Sequence, residues 1–325
     1  KNIISKDINY QFSDASMEAP DNKTVVFKLN NAFSPFASVV SEPLFKKGLL
    51  GNGEYRVDKI RMSGNYISQL TLVNKDKDTI IYKFYPTEDR VKLAFKLGQV
   101  DRIDVLDSKP FDTWRNVKID SESDSNRYVG VFFNTDDDLV GDKTIRQALN
   151  YAIDKTDFDG PRILGPISSS SWAYNPQTKP YTYDEQRALD LLSEMPKEVR
   201  DNMEIKLATF PLLLPTAEKI AQSWNDIGVK TTIQVSSIVP EQYQAFLAIV
   251  DTPTDPDQYT MWHSTQLSTN ICKYKSPRID KLLEDGRTTL NQEDRKRIYL
   301  DFQRFLAEDS PAIFLYQPTF YSVSR

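Results

Sequence analysis

Asp255 and Asp257, in the run Asp255-Pro256-Asp257, are the nearest thing in the chain to an acid–base pair. Two carboxylates can divide general acid and general base roles when their surroundings split their pKa values, which would make a hydrolase of peptides or glycans. Acids two apart in a proline-containing turn are also ordinary loop chemistry, because Asp accepts hydrogen bonds from its own turn. The rest of the reactive inventory is small. His263 and Cys272 are the sole histidine and cysteine, so Cys/His metal sites and an intramolecular disulfide are excluded. They lie nine positions apart in a Tyr/Lys/Ser-rich stretch, a poor setting for a thiolate–imidazole pair. Asp136-Asp137-Asp138 lacks the glycine and distal glutamate of a calcium loop, so a solvated turn is expected. No G-x-S-x-G, H-E-x-x-H, P-loop or G-x-G-x-x-G pattern occurs. The residues offer little for catalysis and call for no cofactor.

The aromatic content of 11%, with 16 Tyr and 17 Phe, exceeds what a minimal core needs. Such rings can grip a varied ligand, although most are expected to fill the core of a mixed α/β fold. The net charge of −5 is spread over interspersed acids and bases without a Lys/Arg block, which argues against nucleic acid or an anionic membrane as partner. No run of about 18 apolar residues is present to span a bilayer. The chain opens at Lys1-Asn2-Ile3 with neither Met nor an apolar signal core, so a targeting segment is expected to lie outside it. A length of 325 residues, 39% hydrophobic and 27% charged, suits a soluble globular chain with room for two domains.

The elements that would position a site follow from pattern. Residues 24–29 read as a strand after the turn Pro20-Asp21-Asn22, and Gly51-Asn52-Gly53 introduces another at 54–57. Residues 65–73 and 79–85 are further strands. Thr87 is expected to cap a helix carrying Val91, Ala94, Phe95 and Leu97, stopped by Gly98, before a strand at 101–106. A helix between two strands predicts a parallel pairing. The near-continuous apolar run 127–135 predicts a strand buried on both faces. Asp142 or Thr144 caps the next helix, a Pro/Gly/Ser loop covers 160–176, and Tyr183-Asp184 leads into a helix through Leu192. Strands at 203–210, 229–235 and 244–250 follow, with a Thr216-capped helix through Trp224 between the first two. Asn291 caps a long helix, and 312–316 is expected to be the last strand.

In order and content these segments resemble the family 5, peptide-type extracellular solute-binding proteins. Val25-Val26-Phe27-Lys28-Leu29 with Phe33-Ser34-Pro35-Phe36 matches the family pattern. Gly51-Asn52-Gly53-Glu54-Tyr55-Arg56-Val57 resembles its G-T-G-P-Y signature with Glu54 in place of proline, and Leu97-Gly98-Gln99-Val100-Asp101 its G-x-V-D ending. Phe132-Phe133-Asn134-Thr135 followed by Ile145-Arg146-Gln147-Ala148-Leu149-Asn150-Tyr151-Ala152-Ile153-Asp154 is the most specific match. Trp224-Asn225-Asp226-Ile227-Gly228-Val229, Asp255-Pro256-Asp257, Ile279-Asp280-Lys281-Leu282-Leu283 and residues 307–316 complete the series. Family members are usually longer, so the chain resembles one lacking part of its N-terminal lobe.

The resemblance implies a two-lobed periplasmic-binding-protein-like α/β fold of type II (cluster C), with crossover strands at 128–135 and 312–317. The first lobe would comprise 1–130 and 311–325, and the second 131–310. A ligand touching both lobes would draw them closed, and the closed form would be presented to ABC permease subunits. The protein would then be a monomeric, extracytoplasmic, non-enzymatic binder of a peptide or similar solute, tied to a membrane only by a lipid anchor outside this chain. A sensor or structural descendant without transport is the alternative. The family places an aspartate just before its D-P element against a ligand amine; here Asp251 lies nearest, while a gapless match puts Thr252 there. Trp262 and His263 after the turn, Trp172, Tyr174 and Asn175 in the Ser/Pro loop, and Phe133 and Asn134 at the end of the apolar strand are the other candidate ligand contacts. For the aromatic residues, the competing role is core packing. Trp224, at helical spacing with Ile220, is expected in the core.

Overall fold

The computed structural model describes residues 15–41, 49 and 51–325 of the chain. The parts of the first-lobe assignment at 1–14, 42–48 and 50 lie outside the described residues. The chain begins with a two-stranded ribbon, β1 (Ser16–Glu18) and β2 (Val26–Lys28), and one helical turn, α1 (Phe36–Val39). An antiparallel meander follows: β3 (Arg56–Ser63), β4 (Tyr66–Val73) and β5 (Thr79–Lys83). Helix α2 (Glu88–Lys96) is capped by Thr87, whose side chain accepts from the Arg90 amide, and ends before Gly98 at φ +70. Glycine suits that left-handed position because it carries no Cβ.

The expected parallel unit is not what forms around α2. Strand β5 closes the meander, whereas β6 (Arg102–Val105) pairs antiparallel with a strand at the far end of the chain. A second antiparallel neighbour of that terminal strand is β7 (Lys118–Ser123). Helix α2 covers this small sheet through Phe95, which packs edge-on against Phe111 at 5.3 Å.

The apolar run becomes β8 (Arg127–Phe133), buried from Tyr128 onward on both faces as its composition predicts. Helices α3 (Lys143–Tyr151), α4 (Glu185–Ser193) and α5 (Lys197–Asp201) lead to β9 (Glu204–Thr209). Helix α6 (Leu214–Asp226) starts one turn earlier than the Thr216 cap expected; Pro215 occupies its first turn, and the Thr216 hydroxyl instead meets the Tyr316 hydroxyl at 3.0 Å. Strands β10 (Lys230–Val235) and β11 (Ala245–Asp251), helices α7 (Tyr259–Trp262), α8 (Pro277–Thr288) and α9 (Gln292–Asp309), and strand β12 (Ala312–Tyr316) complete the larger unit. The chain does not stop there. Strand β13 (Thr319–Ser324) returns to the small sheet between β6 and β7.

The larger sheet runs β10-β9-β11-β8-β12, with β10, β9 and β11 parallel and β8 antiparallel to both neighbours. Val129, Val131 and Phe133 of β8 face a core shared with α3, α4 and α6. Tyr128 and Phe132 face a second core with α8 and α9. Trp224 is fully buried in the first, and its indole N–H donates to the Leu149 carbonyl at 3.0 Å. Asp142 caps α3, accepting from the Thr144 amide at 2.7 Å and the Ile145 amide at 3.3 Å. Asp142→Ala is expected to lower the unfolding free energy by about 1 kcal/mol, read from urea titration.

Because β8 and β12 lie wholly inside the larger sheet, the chain crosses between sheets at 124–126, ahead of the expected 128–135, and at Gln317-Pro318, the very end of the expected 312–317. The two straps run side by side. The Asp124 amide donates to the Pro318 carbonyl at 3.0 Å, and Ser123 and Thr319 meet through their hydroxyls at 3.1 Å. The second strap is also held from the flank: the Gln317 amide donates to the Pro161 carbonyl at 2.9 Å, and Arg162 bridges to Tyr316. Gly160, at φ +152, permits this approach; a Cβ there would fall 2.0 Å from the Gln317 carbonyl oxygen.

Candidate functional site

The register sets one edge of the larger sheet. Val235 pairs with Thr209 at the carboxyl ends of β10 and β9, and Asp251 at the end of β11 pairs with Arg127 at the start of β8. All these ends face the straps, so loops leaving the strands gather where the two sheets meet. Ligands of open α/β sheets bind outside such carboxyl ends. Two cavities occupy this edge.

The larger, about 340 Å³, has walls from both sides. Tyr85 comes from the link between the meander and α2, Thr87 and Glu88 from the start of α2, Leu106 from just after β6, and Phe210 and Leu212 from the turn between β9 and α6. The smaller, about 210 Å³, lies at the ends of β11 and β8. Asn126 of the first strap, the loop residues Ser168 and Trp172, and Thr252, Thr254 and Gln258 after β11 help to line it.

The expected contacts divide sharply. Thr252 and Trp172 come together in the smaller cavity. Asp251 does not line it and stands exposed, its Oδ1 accepting from Arg127 Nε at 2.8 Å. Tyr174, half-buried, follows Trp172 in the same loop. Asn175 is structural: its side-chain amide donates to the Leu300 carbonyl, and its backbone N–H donates to Gln303 Oε1, fastening the loop to α9. Trp262 is fully buried between Phe132 and Phe314 and forms no cleft wall. His263 is buried as well, stacked on Tyr259 at 4.0 Å with Nδ1 2.8 Å from the Thr265 hydroxyl. Phe133 and Asn134 sit at the opposite edge of the sheet from the straps. Phe133 stacks on Trp224 inside the core, and the Asn134 amide donates to the Tyr243 carbonyl. The residues that pattern alone did not single out are Gln258, Asn126, Ser168 and Phe210. A serine run beside Trp172 and a Phe-Pro at a strand end were the signals available for the last two.

The acid pair is committed elsewhere. Asp255 takes a two-pronged contact from Arg295 at 2.7 and 2.5 Å, and Asp257 one from Arg287 at 2.9 and 2.7 Å. Each also caps its own turn, accepting from the backbone amides of Asp257 and Tyr259. Carboxylates held this way position a loop. Cys272 is buried with its thiol toward the Pro311 carbonyl, and burial pushes that thiol up, so it is no nucleophile. Asp137 closes the acidic turn onto the Leu139 and Val140 amides, and no cluster among the described residues could hold a metal ion. No helix among them is long and apolar enough to cross a membrane.

Two sheet-based units are joined by paired straps, with the cavities at the strand ends beside the straps. Residues 1–269 match the bacterial extracellular solute-binding proteins, family 5 (middle), and the chain belongs to that family, whose members bind solutes and are not enzymes. Among solved structures, NikZ from Campylobacter jejuni in complex with Ni(L-His) superposes with a TM-score of 0.84 at 25% identity, over 97% of this chain and 74% of that one. The oligopeptide-binding protein AppA of Bacillus subtilis is 25% identical over 326 residues, covering 87% of this chain and 59% of that protein. Its structure with a nonapeptide superposes with a TM-score of 0.79 over 95% of this chain. The chain thus spans a little over half the length of that curated relative.

Proposed function

We propose that the protein is the substrate-binding component of an ABC importer, working outside the cytoplasm, and that it takes a peptide or similar small solute between its two units. The observation that carries this is the placement of both cavities at the strand ends beside the straps. One of them is walled by residues from both sides. A solute held there gains contacts only as the units approach, so it shifts the population toward a closed form that a permease can distinguish. AppA is described as oligopeptide-binding and NikZ was solved with a nickel–histidine complex. With one histidine and one cysteine, both buried, this chain offers few metal-ligating groups, which favours an organic solute. The lobe division in this reading follows the straps, with the small sheet and meander on one side and 127–316 on the other.

A thermal-shift screen of small peptides tests this. A ligand present at a hundred times its Kd stabilises by about 2.7 kcal/mol, so a shift of several degrees is expected for at least one member. No shift from any peptide or oligosaccharide at millimolar concentration would remove the reading and favour a descendant that has lost transport.

A further inference from the structure

The smaller cavity is unusual for what its walls lack. Among the described residues, no ionisable side chain lines it. Its polar surface consists of the Ser168, Ser170, Ser171, Thr252 and Thr254 hydroxyls and the Asn126 and Gln258 amides, while Trp172 supplies the largest apolar side chain. Gln258 is 4% exposed, yet its Nε2 finds no acceptor among the described residues. The adjoining core repeats the pattern. The Trp262 indole N–H and the Tyr128 hydroxyl are buried without partners, and both rings pack against Phe132 and Phe314. Leaving a buried donor unpaired costs more than a typical hydrogen bond contributes. The wall hydroxyls and side-chain amides suit a ligand that brings neutral hydrogen-bonding groups.

The nearby acids are all turned away from that role. Asp251 is exposed and engaged by Arg127, and the position that lines the cavity is Thr252. Asp255 and Asp257 are taken by Arg295 and Arg287. An ammonium entering such walls would lose its hydration with no opposite charge to replace it, whereas a carbonyl loses less and can accept from the serine and threonine hydroxyls of the walls.

We propose that this cavity receives an uncharged, acceptor-bearing end of the ligand, such as a blocked amide packed on Trp172, and discriminates against a free ammonium. The proposal rests on the solute-binding reading above and specifies the chemistry of that same site.

The test uses a synthetic pool of tetrapeptides of Ala, Ser, Leu and Phe, half with free amino ends and half N-acetylated, offered together to the full chain. Retained peptides are counted by mass spectrometry. The acetylated half is expected to be retained about tenfold over the free half, the equivalent of about 1.4 kcal/mol. Gln258→Glu places a carboxylate at the wall and is expected to reverse the preference. Thr252→Asp, at the rim, should move it in the same direction and serves if the first variant does not fold. Equal retention, or preference for free amines by the unaltered chain, overturns the proposal while leaving solute binding intact. Retention of neither half sinks the peptide reading and this inference with it.

Discussion

Replacing Arg295 with methionine is expected to destabilise the protein by about 3 kcal/mol, because it strips a buried carboxylate of its counter-charge. The Arg295 side chain is 6% exposed and that of Asp255 is 16% exposed. The guanidinium also donates to the Gly286 carbonyl at 2.7 Å and to the Tyr299 hydroxyl at 3.3 Å, so one residue ties the turn after β11 to both α8 and α9. The surface pair Arg127–Asp251 provides the control. Asp251 is 84% exposed, and an exposed ion pair is worth at most about 1 kcal/mol. Arg127→Met should therefore leave the urea midpoint nearly unchanged. If Arg295→Met were as mild as Arg127→Met, the turn would not depend on its buried ion pair.

The second large effect separates two tryptophans that the sequence presents alike. Trp262→Ala empties a fully buried site between Phe132 and Phe314 and is expected to cost about 3–5 kcal/mol. Affinity per folded molecule should change little, since the ring forms no cavity wall. Trp172→Ala should do the reverse. Trp172 lines the smaller cavity and is only half-buried, so about 1 kcal/mol of stability and most of the binding are expected to go. Urea unfolding alongside the peptide-retention assay gives both numbers for each variant. Equal losses of stability would mean that the two rings share one structural role.

These two residues also mark where reading the sequence succeeds and where it stops. Strand β8 was legible because burial on both faces leaves an uninterrupted apolar run. The caps at Thr87, Asp142 and Asn291 were legible because capping is a local interaction between a side chain and an amide two or three residues ahead. The partner of β6 was not, because β13 arrives more than 200 residues later and nothing local encodes the meeting. An aromatic in an irregular stretch has the same pattern whether it walls a cleft or anchors a core, so Trp172 and Trp262 could not be separated. The Arg295–Asp255 and Arg287–Asp257 pairs span 40 and 30 residues, which is why the sequence could suggest turn acids there but not name the arginines that hold them. Gln258 gave no sign, since what distinguishes it is the missing acceptor and not its residue type.

The crowding of Gly160 against the Gln317 carbonyl reaches further than its own turn. With 160–162 clasping the edge of β12, the outgoing strap has little freedom until Pro318, whose ring fixes φ. Bending is then left to a few peptide units: Pro318 on one side and 124–126 beside it, stitched by a single amide-to-carbonyl contact. Two pivots so close together define an axis and forbid most others. In the proposed closure the halves would swing like a door on adjacent pins, with little room to slide or twist, and each opening would return the same walls to face each other.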